Sequence, residues 1–298
     1  SIQVGDADIM IAGGMEHMTR SPWVISKTSK PFGNDARMFD SSFGWRFVNP
    51  KMEAMYGTDA MGITAENLVE IYQISREDQD LFAFNSQQKA FAAQQSGRFD
   101  EEILPVELTD KKGNSTVFSK DEFIKGNTSL EKLAALRPAF KKDSGSVTAG
   151  NASGLNDGSA ALFLASEKAI KQYDLKPLAR IVSSAVVGVE PRIMGIGPVG
   201  ATKKALQKAG LSLADIDIIE LNEAFAAQAL AVTKGLGLDP AKTNVNGGAI
   251  ALGHPIGCSG AAIATKAIHE LHRVQGKYAL VTMCIGGGQG IATIFERL

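Results

Sequence analysis

One histidine lies in a glycine-rich and almost uncharged stretch, and it is the side chain with the clearest potential for chemistry. Residues 246–260 read NGGAIALGHPIGCSG, so that His254 stands between Gly253 and Pro255. A lone histidine is more often a satisfied structural residue than a catalyst. Here, however, the neighbours hold the backbone rigidly, and the positive N-terminus of a following helix favours the neutral imidazole that a general base needs. A phosphate loop would require Lys followed by Ser or Thr after its last glycine, which this stretch lacks.

The sequence predicts different roles for the two cysteines of the chain. Cys284 ends a predicted strand and begins the run CIGGGQG, whose backbone N–H groups can be presented to an oxyanion. Cys258 follows the glycine turn, and we interpret it as a packing residue. As a nucleophile it would share a loop with its own base and lack a third orienting group. The two form no CxxC pair, zinc set or disulfide framework, and so few thiols fit a reducing compartment.

The other histidines carry no predicted chemistry. His269 and His272 lie beside Glu270 and Arg273 on a predicted helix, without the H-E-x-x-H spacing of a metal pair. We expect both to be solvated, assign no role to His17, and predict no metal site.

The composition of the chain limits the classes of protein to which it can belong. The 298 residues are 44% hydrophobic, enough for a large core and about two domains. With 31 Lys and Arg against 32 Asp and Glu, no overall field favours nucleic acid or an anionic membrane, so local groups must meet any anionic ligand. No apolar run reaches the ~20 residues of a membrane span. The start has neither a basic n-region nor a cleavage site, and we expect a cytoplasmic protein.

From residue 159 onward, strands and helices alternate regularly, which predicts layered α/β structure with helices packed on a mixed sheet. The predicted strands are 159–166, 179–188, 216–222, 278–284 and 290–298, and the predicted helices are 167–174, 198–209, 223–237 and 259–274. Ligands of open α/β sheets bind where strands end and helices begin. Asn222, His254 and Cys284 all lie at such ends, so we expect them to face one crevice.

The first half is less regular. Residues 8–14 read as an interior strand, and 20–58 form a loop-rich insertion with many prolines, glycines and aromatic residues. Two helices are predicted at about 60–73 and 75–97, the second with a capping box formed by Ser75 and Asp78. Segment 101–150 is polar and rich in turns.

Three runs resemble, in order and spacing, the signature motifs of the thiolases, the 3-oxoacyl-CoA acyltransferases. They are NEAFA at 222–226, NGGAIALGHPIGCSGA at 246–261 and CIGGGQG at 284–290. Further runs across the chain match the same family: GDADIMIAGGMEHMT at 5–19, MGITAEN at 61–67, LRPAF at 136–140 and TAGNASGLNDG at 148–158. The resemblance implies a duplicated layered α/β fold with an inserted loop domain.

The resemblance also implies catalytic roles. In this family a cysteine thiolate attacks the 3-keto carbon, acetyl-CoA leaves, and a second CoA removes the acyl group. His254 would activate both thiols, and Cys284 would protonate the acetyl carbanion or abstract that proton in the condensing direction. Asn222 would hold a water that stabilises the enolate oxygen together with His254, and the backbone N–H of Gly286 would bind the oxyanion.

Coenzyme A is then implied as a substrate, with no permanently bound cofactor. Ser153 would meet the pantetheine amide, and Lys125 would meet the phosphate end of the nucleotide. Apolar walls would come from the residues Met52, Met61, Phe140, Ala149 and Phe225.

Two local features bear on the substrate. Ala60 stands where some acetoacetyl-specific members carry histidine, so a short acetoacetyl substrate is less assured. The run FGWRFVNPKM at 43–52 resembles members that handle 3-oxoadipyl-CoA.

The start of the sequence departs from the family pattern. Members carry the acylated nucleophile in a C-x-S-G-like turn upstream of the helix that ends in SIQVGDAD. We therefore expect a truncated first half, represented by 1–22 and 156–177, an inserted CoA-binding loop domain at 23–155, and a complete C-terminal half at 178–298. We expect these residues alone to be inactive.

The family pattern further implies a homodimer or homotetramer. Two other functions stay open. The first is a protein that binds CoA esters without turning them over. Only the presence or absence of an upstream cysteine would distinguish it from an active thiolase. The second is a decarboxylating 3-oxoacyl synthase, which the presence of Cys284 argues against.

Overall fold

Strands of the C-terminal part form one mixed sheet. The computed structural model describes residues 1–298, and its sheets have the strand orders β7-β10-β9-β8, β1-β6, β2-β3 and β4-β5. The strands are β1 (Ile9–Glu16), β2 (Trp23–Ile25), β3 (Met38–Asp40), β4 (Val106–Thr109), β5 (Ser115–Phe118), β6 (Gly158–Ala165), β7 (Ala179–Gly188), β8 (Ile218–Leu221), β9 (Tyr278–Ile285) and β10 (Gln289–Arg297).

Helices alternate with these strands. They are α1 (Pro50–Tyr56), α2 (Met61–Tyr72), α3 (Arg76–Gln95), α4 (Leu130–Ala134), α5 (Glu167–Tyr173), α6 (Gly197–Ala209), α7 (Ala226–Leu236), α8 (Ala249–Leu252) and α9 (Ile256–Arg273). None of these helices has the combination of length and apolar composition that crossing a membrane requires.

Helices cover both faces of the four-stranded sheet. Because side chains alternate across a strand, Leu280 of β9 packs in a cluster with residues of α6 and α7. Its neighbour Val281 packs on the other face, with residues of α9. β8 is buried on both sides and pairs in parallel with β9, which accounts for its three apolar residues, and the fourth, Glu220, is paired with Lys266.

A second, smaller sheet packs on the outer side of α9. β1 and β6 pair antiparallel from Ile9–Ala165 to Glu16–Gly158, as a two-stranded sheet. The backbones approach closely here: a Cβ on Gly14 would lie 2.0 Å from the carbonyl oxygen of Gly257. α9 is thus held between the two sheets, and its first turn is fixed against β1.

The expected helices of the first half are confirmed, with shorter bounds. The side chain of Ser75 accepts a hydrogen bond from the backbone N–H of Asp78 at 3.0 Å and caps α3. The region 20–58 is not entirely irregular, because it contains the β2-β3 hairpin and α1, which Asn49 caps. Segment 101–150 likewise contains the β4-β5 hairpin and α4.

Two expected boundaries near the motifs were wrong. α9 begins at Ile256 rather than at 259, so its first turn follows Pro255 directly. α7 begins at Ala226 rather than at 223, because Phe225 forms an isolated β-bridge with Ala152 instead of a helical turn.

Candidate active site

Two neighbouring parallel strands deliver Asn222 and Cys284 to the same edge of the sheet. Leu221 is paired with Thr282, and the backbone N–H of Asn222 donates to the Thr282 carbonyl at 3.0 Å. Cys284 lies further along β9, so both side chains stand where their strands end. We predicted a common crevice for these residues because they lie at the ends of strands. For Asn222 and Cys284, the register of β8 and β9 supports this prediction.

His254 joins Asn222 at this edge. The amide nitrogen Nδ2 of Asn222 lies 3.3 Å from Nε2 of His254. On the other side of the ring, Nδ1 lies 2.6 Å from Oγ of Ser259, and that hydroxyl donates to the Pro255 carbonyl at 2.9 Å. A hydroxyl has one proton, so Ser259 accepts from Nδ1–H and leaves the Nε2 lone pair of His254 as the basic position.

Burial keeps this imidazole neutral. Desolvation lowers the pKa of His254 below its ordinary value, and the nearby carboxylate of Glu16 opposes the shift. Glu16 is held in place because its Oε2 accepts from the backbone N–H of Gly257 at 3.1 Å. A half-buried, neutral histidine with a fixed tautomer can accept a proton at neutral pH.

Two asparagines near the histidine have unpaired acceptors. Oδ1 of Asn222 and Oδ1 of Asn156 are buried without a hydrogen-bond partner in the protein. Asn156 fills the space beside Gly253, where a Cβ would lie 2.4 Å from its amide and where φ is +91°. Buried acceptors are normally paired, so both oxygens are suited to bind a polar ligand group or a water.

The two thiols are both protonated. Burial raises the pKa of Cys284 to about 12 and also raises the pKa of Cys258. Cys258 lies against Gly158, where a Cβ would be 3.6 Å from its Sγ, as expected for a packing residue. A protonated Cys284 can donate a proton, whereas a raised pKa disfavours the thiolate that a nucleophilic cysteine needs.

The glycine loop after Cys284 is a tight connection between β9 and β10. A Cβ on Gly286 would meet nothing within 4 Å, so packing within the chain does not require glycine there. Gly288 differs, because its φ is +94° and a Cβ would lie 2.3 Å from the Val189 carbonyl oxygen. The loop therefore leaves open space beside the backbone of Gly286, which fits the approach of a ligand.

Several residues predicted for CoA are brought together beside α7. The rings of Phe140 and Phe225 meet edge to face with centroids 6.0 Å apart. Gly62, next to Met61, packs on Phe140, since a Cβ there would lie 2.2 Å from the ring. Ser153 joins this group through its N–H and hydroxyl, which both donate to the Ala224 carbonyl at 3.0 Å.

The remaining predicted CoA residues lie further out. Nζ of Lys125 stands 5.1 Å from the centre of the Phe123 ring, and that ring packs on Gly154, which follows Ser153. Met52, on α1, is 43% exposed, and Ala149 is exposed as well. The structure thus places Lys125 at the rim of the Ser153 group and does not pack Met52 into it.

Two family models match nearly all of the chain. Residues 1–168 match "Thiolase, N-terminal domain" and residues 175–297 match "Thiolase, C-terminal domain". The chain belongs to the thiolase family.

Relatives and solved structures agree with this. The "3-oxoadipyl-CoA/3-oxo-5,6-dehydrosuberyl-CoA thiolase" of Escherichia coli K12 is 56% identical over 300 residues, covering 100% of this chain and 75% of that protein. The "Acetyl-CoA acetyltransferase" of Chromobacterium violaceum is 52% identical over 297 residues, covering 100% and 74%. A crystal structure of human mitochondrial 3-ketoacyl-CoA thiolase in complex with CoA superposes with a TM-score of 0.91 at 47% identity, covering 100% of this chain and 73% of that one.

The thiolase site contains residues that sequence reasoning missed. Ser259, Asn156 and Glu16 all lie inside quoted motifs, yet none of the three received a role. Glu223, the second residue of NEAFA, is 1% exposed and accepts from Oγ of Ser86 at 2.6 Å. A charged residue directly after a buried strand was the available signal, since such groups are rarely buried unless paired.

Two histidines outside the thiolase site have partners. His272 was expected to be solvated, but its Nε2 lies 2.7 Å from the Leu178 carbonyl oxygen, to which it donates. His17, left without a role, lies 3.4 Å from Oδ2 of Asp157. His269 remains partly exposed, with Oε2 of Glu101 3.9 Å from its ring.

Proposed function

We propose that this chain carries the proton-transfer groups and the CoA site of a thiolase that cleaves 3-oxoacyl-CoA with CoA to acetyl-CoA and a shortened acyl-CoA, or runs the reverse condensation. The observation that carries the proposal is the neutral His254, whose basic Nε2 lies 3.3 Å from Asn222. Both residues stand at the strand edge that also presents Cys284.

The chemistry assigns one proton step to each group. His254 removes the proton of the attacking thiol, first that of the nucleophilic cysteine and later that of CoA. When the C2–C3 bond breaks, its electron pair stays on the leaving acetyl-CoA, and the protonated thiol of Cys284 donates to that carbon. Asn222, through a water on its unpaired Oδ1, and the N–H of Gly286 stabilise the developing oxyanions.

The acyl group is accepted by a third cysteine, distinct from Cys258 and Cys284. Burial raises the pKa of both of these thiols and so favours their protonated forms, whereas the first step needs a thiolate.

CoA is held beside α7, with Ser153 at the pantetheine and Lys125 at the phosphate end. The Ser153 hydroxyl donates to the Ala224 carbonyl, so its lone pairs remain for an amide N–H of the ligand. Phe140, Phe225 and Met61 provide the apolar wall, and the exposed Met52 and Ala149 would meet CoA outside this wall.

The substrate class is a short 3-oxoacyl-CoA that ends in a carboxylate. The relative from E. coli is named for 3-oxoadipyl-CoA, and the run at 43–52 resembles members with that substrate. Assembly of the chain as a homodimer or homotetramer is part of the same proposal.

Variants of the complete reading frame separate the assigned roles. His254→Ala should abolish formation of the acyl-enzyme from an acyl-CoA, because the base for that step is lost. Cys284→Ala should leave that acylation intact while C–C cleavage and exchange of the acetyl protons disappear. Near-normal acylation in the histidine variant would refute the base assignment, and equal loss of both reactions in the cysteine variant would make Cys284 structural.

The position of the nucleophile is tested by mass spectrometry. The complete gene product, treated with acyl-CoA or with iodoacetamide, should carry the label on a cysteine other than Cys258 and Cys284. Turnover of acetoacetyl-CoA by residues 1–298 alone, or a label on either of these two cysteines, would contradict the proposal.

The role of Ser153 is tested by its replacement with alanine. Ser153→Ala should weaken CoA binding by ~1 kcal/mol, the value of a neutral hydrogen bond, and leave the rate of the chemical step unchanged.

A further inference from the structure

A small pocket adjoins the glycine loop that follows Cys284, and an arginine lines it. Gly287 and Arg192 share its wall, together with Trp45, Tyr56 and Asp59. The pocket thus joins the loop region 43–60 to the part of the sheet edge at which the proton-transfer groups stand. Met61, which we assign to the apolar wall of the CoA site, also lines this pocket, whereas the proton transfers do not use it.

The position of Arg192 relative to the glycine loop is fixed by backbone contacts. The N–H of Val189 donates to the Gly288 carbonyl at 2.8 Å. A Cβ on Gly288 would lie 3.0 Å from the backbone nitrogen of Pro191, so no larger residue fits between the two segments. Arg192 follows Pro191 directly, and its backbone is therefore held next to the loop.

A buried asparagine anchors the same segment from the other side. Nδ2 of Asn67 donates to the carbonyl of Arg192 at 2.8 Å and to Oδ2 of Asp59 at 3.1 Å. Nε1 of Trp45 donates to the carbonyl of Asp59 at 3.2 Å. Because Asn67 is 6% exposed, this anchor is shielded from water and keeps the pocket wall in one arrangement.

The guanidinium itself is weakly engaged. The one carboxylate within ion-pair distance is that of Glu190, whose Oε1 lies 3.9 Å from Nε of Arg192, and both side chains are more than half exposed. Such a pair contributes little and does not hold the arginine. Glu70 also lies near enough for Arg192 to lower its pKa, but Lys141 is its main partner. The planar donor fork of Arg192 is therefore free for a ligand.

We propose that Arg192 binds the terminal carboxylate of a dicarboxylic 3-oxoacyl-CoA and so determines the preference for that substrate class. The inference rests on the proposed thiolase function. In such a substrate only a short carbon spacer separates the reacting carbonyl from the second carboxylate, so that group falls close to the catalytic loop. Arginine matches a carboxylate with two parallel hydrogen bonds, which lysine cannot reproduce.

Asp59 sharpens the expected discrimination. Asp59 also lines this pocket, so a substrate carboxylate placed there without Arg192 would stand near a residue of like charge. A substrate with an uncharged tail neither gains from Arg192 nor suffers from its removal. Loss of the arginine should therefore act on one class of acyl chain only.

The test compares two acyl-CoA esters of equal chain length, adipyl-CoA and hexanoyl-CoA, by titration calorimetry with the wild-type protein and its variants. Neither ester has a 3-oxo group, so neither is cleaved. Arg192→Gln should weaken adipyl-CoA binding about tenfold and leave hexanoyl-CoA unchanged, as expected for a partly exposed charge-assisted pair. Arg192→Lys should recover only part of the loss.

Two further variants serve as controls. Arg46→Gln removes the other arginine beside Trp45, and Lys203→Gln removes an exposed cation on α6; neither should change the ratio of the two affinities. Equal weakening of both esters by Arg192→Gln, or a selective effect of Arg46→Gln, would overturn the inference and leave the thiolase function standing. Failure of the wild type to bind either ester would instead refute the proposed function itself.

Discussion

The carboxylate of Glu223 fills the space in which a side chain at position 248 would stand. A Cβ on Gly248 would lie 2.2 Å from Cδ of Glu223. The carboxylate accepts from Oγ of Ser86 at 2.6 Å and from Nδ2 of Asn244 at 2.7 Å. The end of β8, α3 and the chain that leads to His254 are therefore tied together by one buried acidic group.

Replacing Glu223 should destabilise the protein strongly. Glu223→Ala leaves the donors of Ser86, Asn244 and the N–H of Ile250 without their acceptor, and each buried unpaired group costs about 1–3 kcal/mol. We expect a loss of at least ~3 kcal/mol in urea unfolding, and a smaller loss for Glu223→Gln, which keeps one acceptor. The exposed Glu167→Ala is the control and should change little. Wild-type stability of the alanine variant would show that the network is unimportant.

The pH dependence of thiolysis should report His254. Burial lowers the pKa of this imidazole below its ordinary value of 6.5, so most of it is already in the basic form at pH 7. The rate measured on the complete gene product should therefore be flat above that pH and fall only at more acidic pH. His272→Gln, which removes a histidine bonded to the Leu178 carbonyl, should leave the profile unchanged. A rate that still rises between pH 7 and 8 through a histidine-like group would contradict the lowered pKa.

The positioning of this base should depend on Ser259. Ser259→Ala removes the acceptor of Nδ1–H, which fixes both the ring and the tautomer of His254. One neutral hydrogen bond is worth about 1 kcal/mol, so we expect about a fivefold fall in kcat/KM for thiolysis. Ser259→Thr keeps the hydroxyl and should restore most of the rate. An alanine variant with an unchanged kcat/KM would show that Ser259 does not orient the base.

The free energy of unfolding should fall as rising pH ionises Glu102. Desolvation raises its pKa to about 7, Lys266 opposes the shift, and the carboxyl groups of Glu220 and Glu270 add to it. Between the ordinary value of 4.5 and about 7 the folded protein binds more protons than the unfolded chain, so stability decreases as pH rises through this window. Glu102→Gln should then stabilise by roughly 2 kcal/mol at pH 8 but not at pH 4.

A distant carboxyl supplies the control for that comparison. Glu77 is exposed in the first turn of α3, so Glu77→Gln should leave the pH dependence of the unfolding free energy as it is in the wild type. A Glu102 variant that gains the same stability at both pH values would show that ionisation of this carboxyl is not the cause.

A buried ion pair supports the strand that carries Asn222. Nζ of Lys266 lies 3.2 Å from Oε2 of Glu220 and donates to the Gly247 carbonyl at 2.6 Å. Lys266→Met leaves Glu220, which is 1% exposed, without its cation, and should cost about 3 kcal/mol. Adding Glu220→Leu should recover much of that loss, whereas the exposed Lys171→Met should have little effect. A double variant no more stable than the single one would argue against an ionic cause.

The sequence by itself determined the elements and the chemical types. Hydrophobic periodicity predicted α2, α3, α6 and the strands of the C-terminal sheet, because those patterns follow from which face each element buries. The run NGGAIALGHPIGCSGA and its two companions led to the thiolase family, which the matches over 1–168 and 175–297 confirmed. Strand ends also predicted a common edge for Asn222 and Cys284.

Tertiary structure alone decided how these groups are held. The tautomer of His254 depends on Ser259, and the first turn of α9 is fixed by Glu16, which lies 241 residues before its partner Gly257. The contact of Glu223 with Ser86 likewise joins positions 137 residues apart. No local periodicity encodes such pairs, because they form only after helices and sheets have packed and left each buried polar group to find its partner.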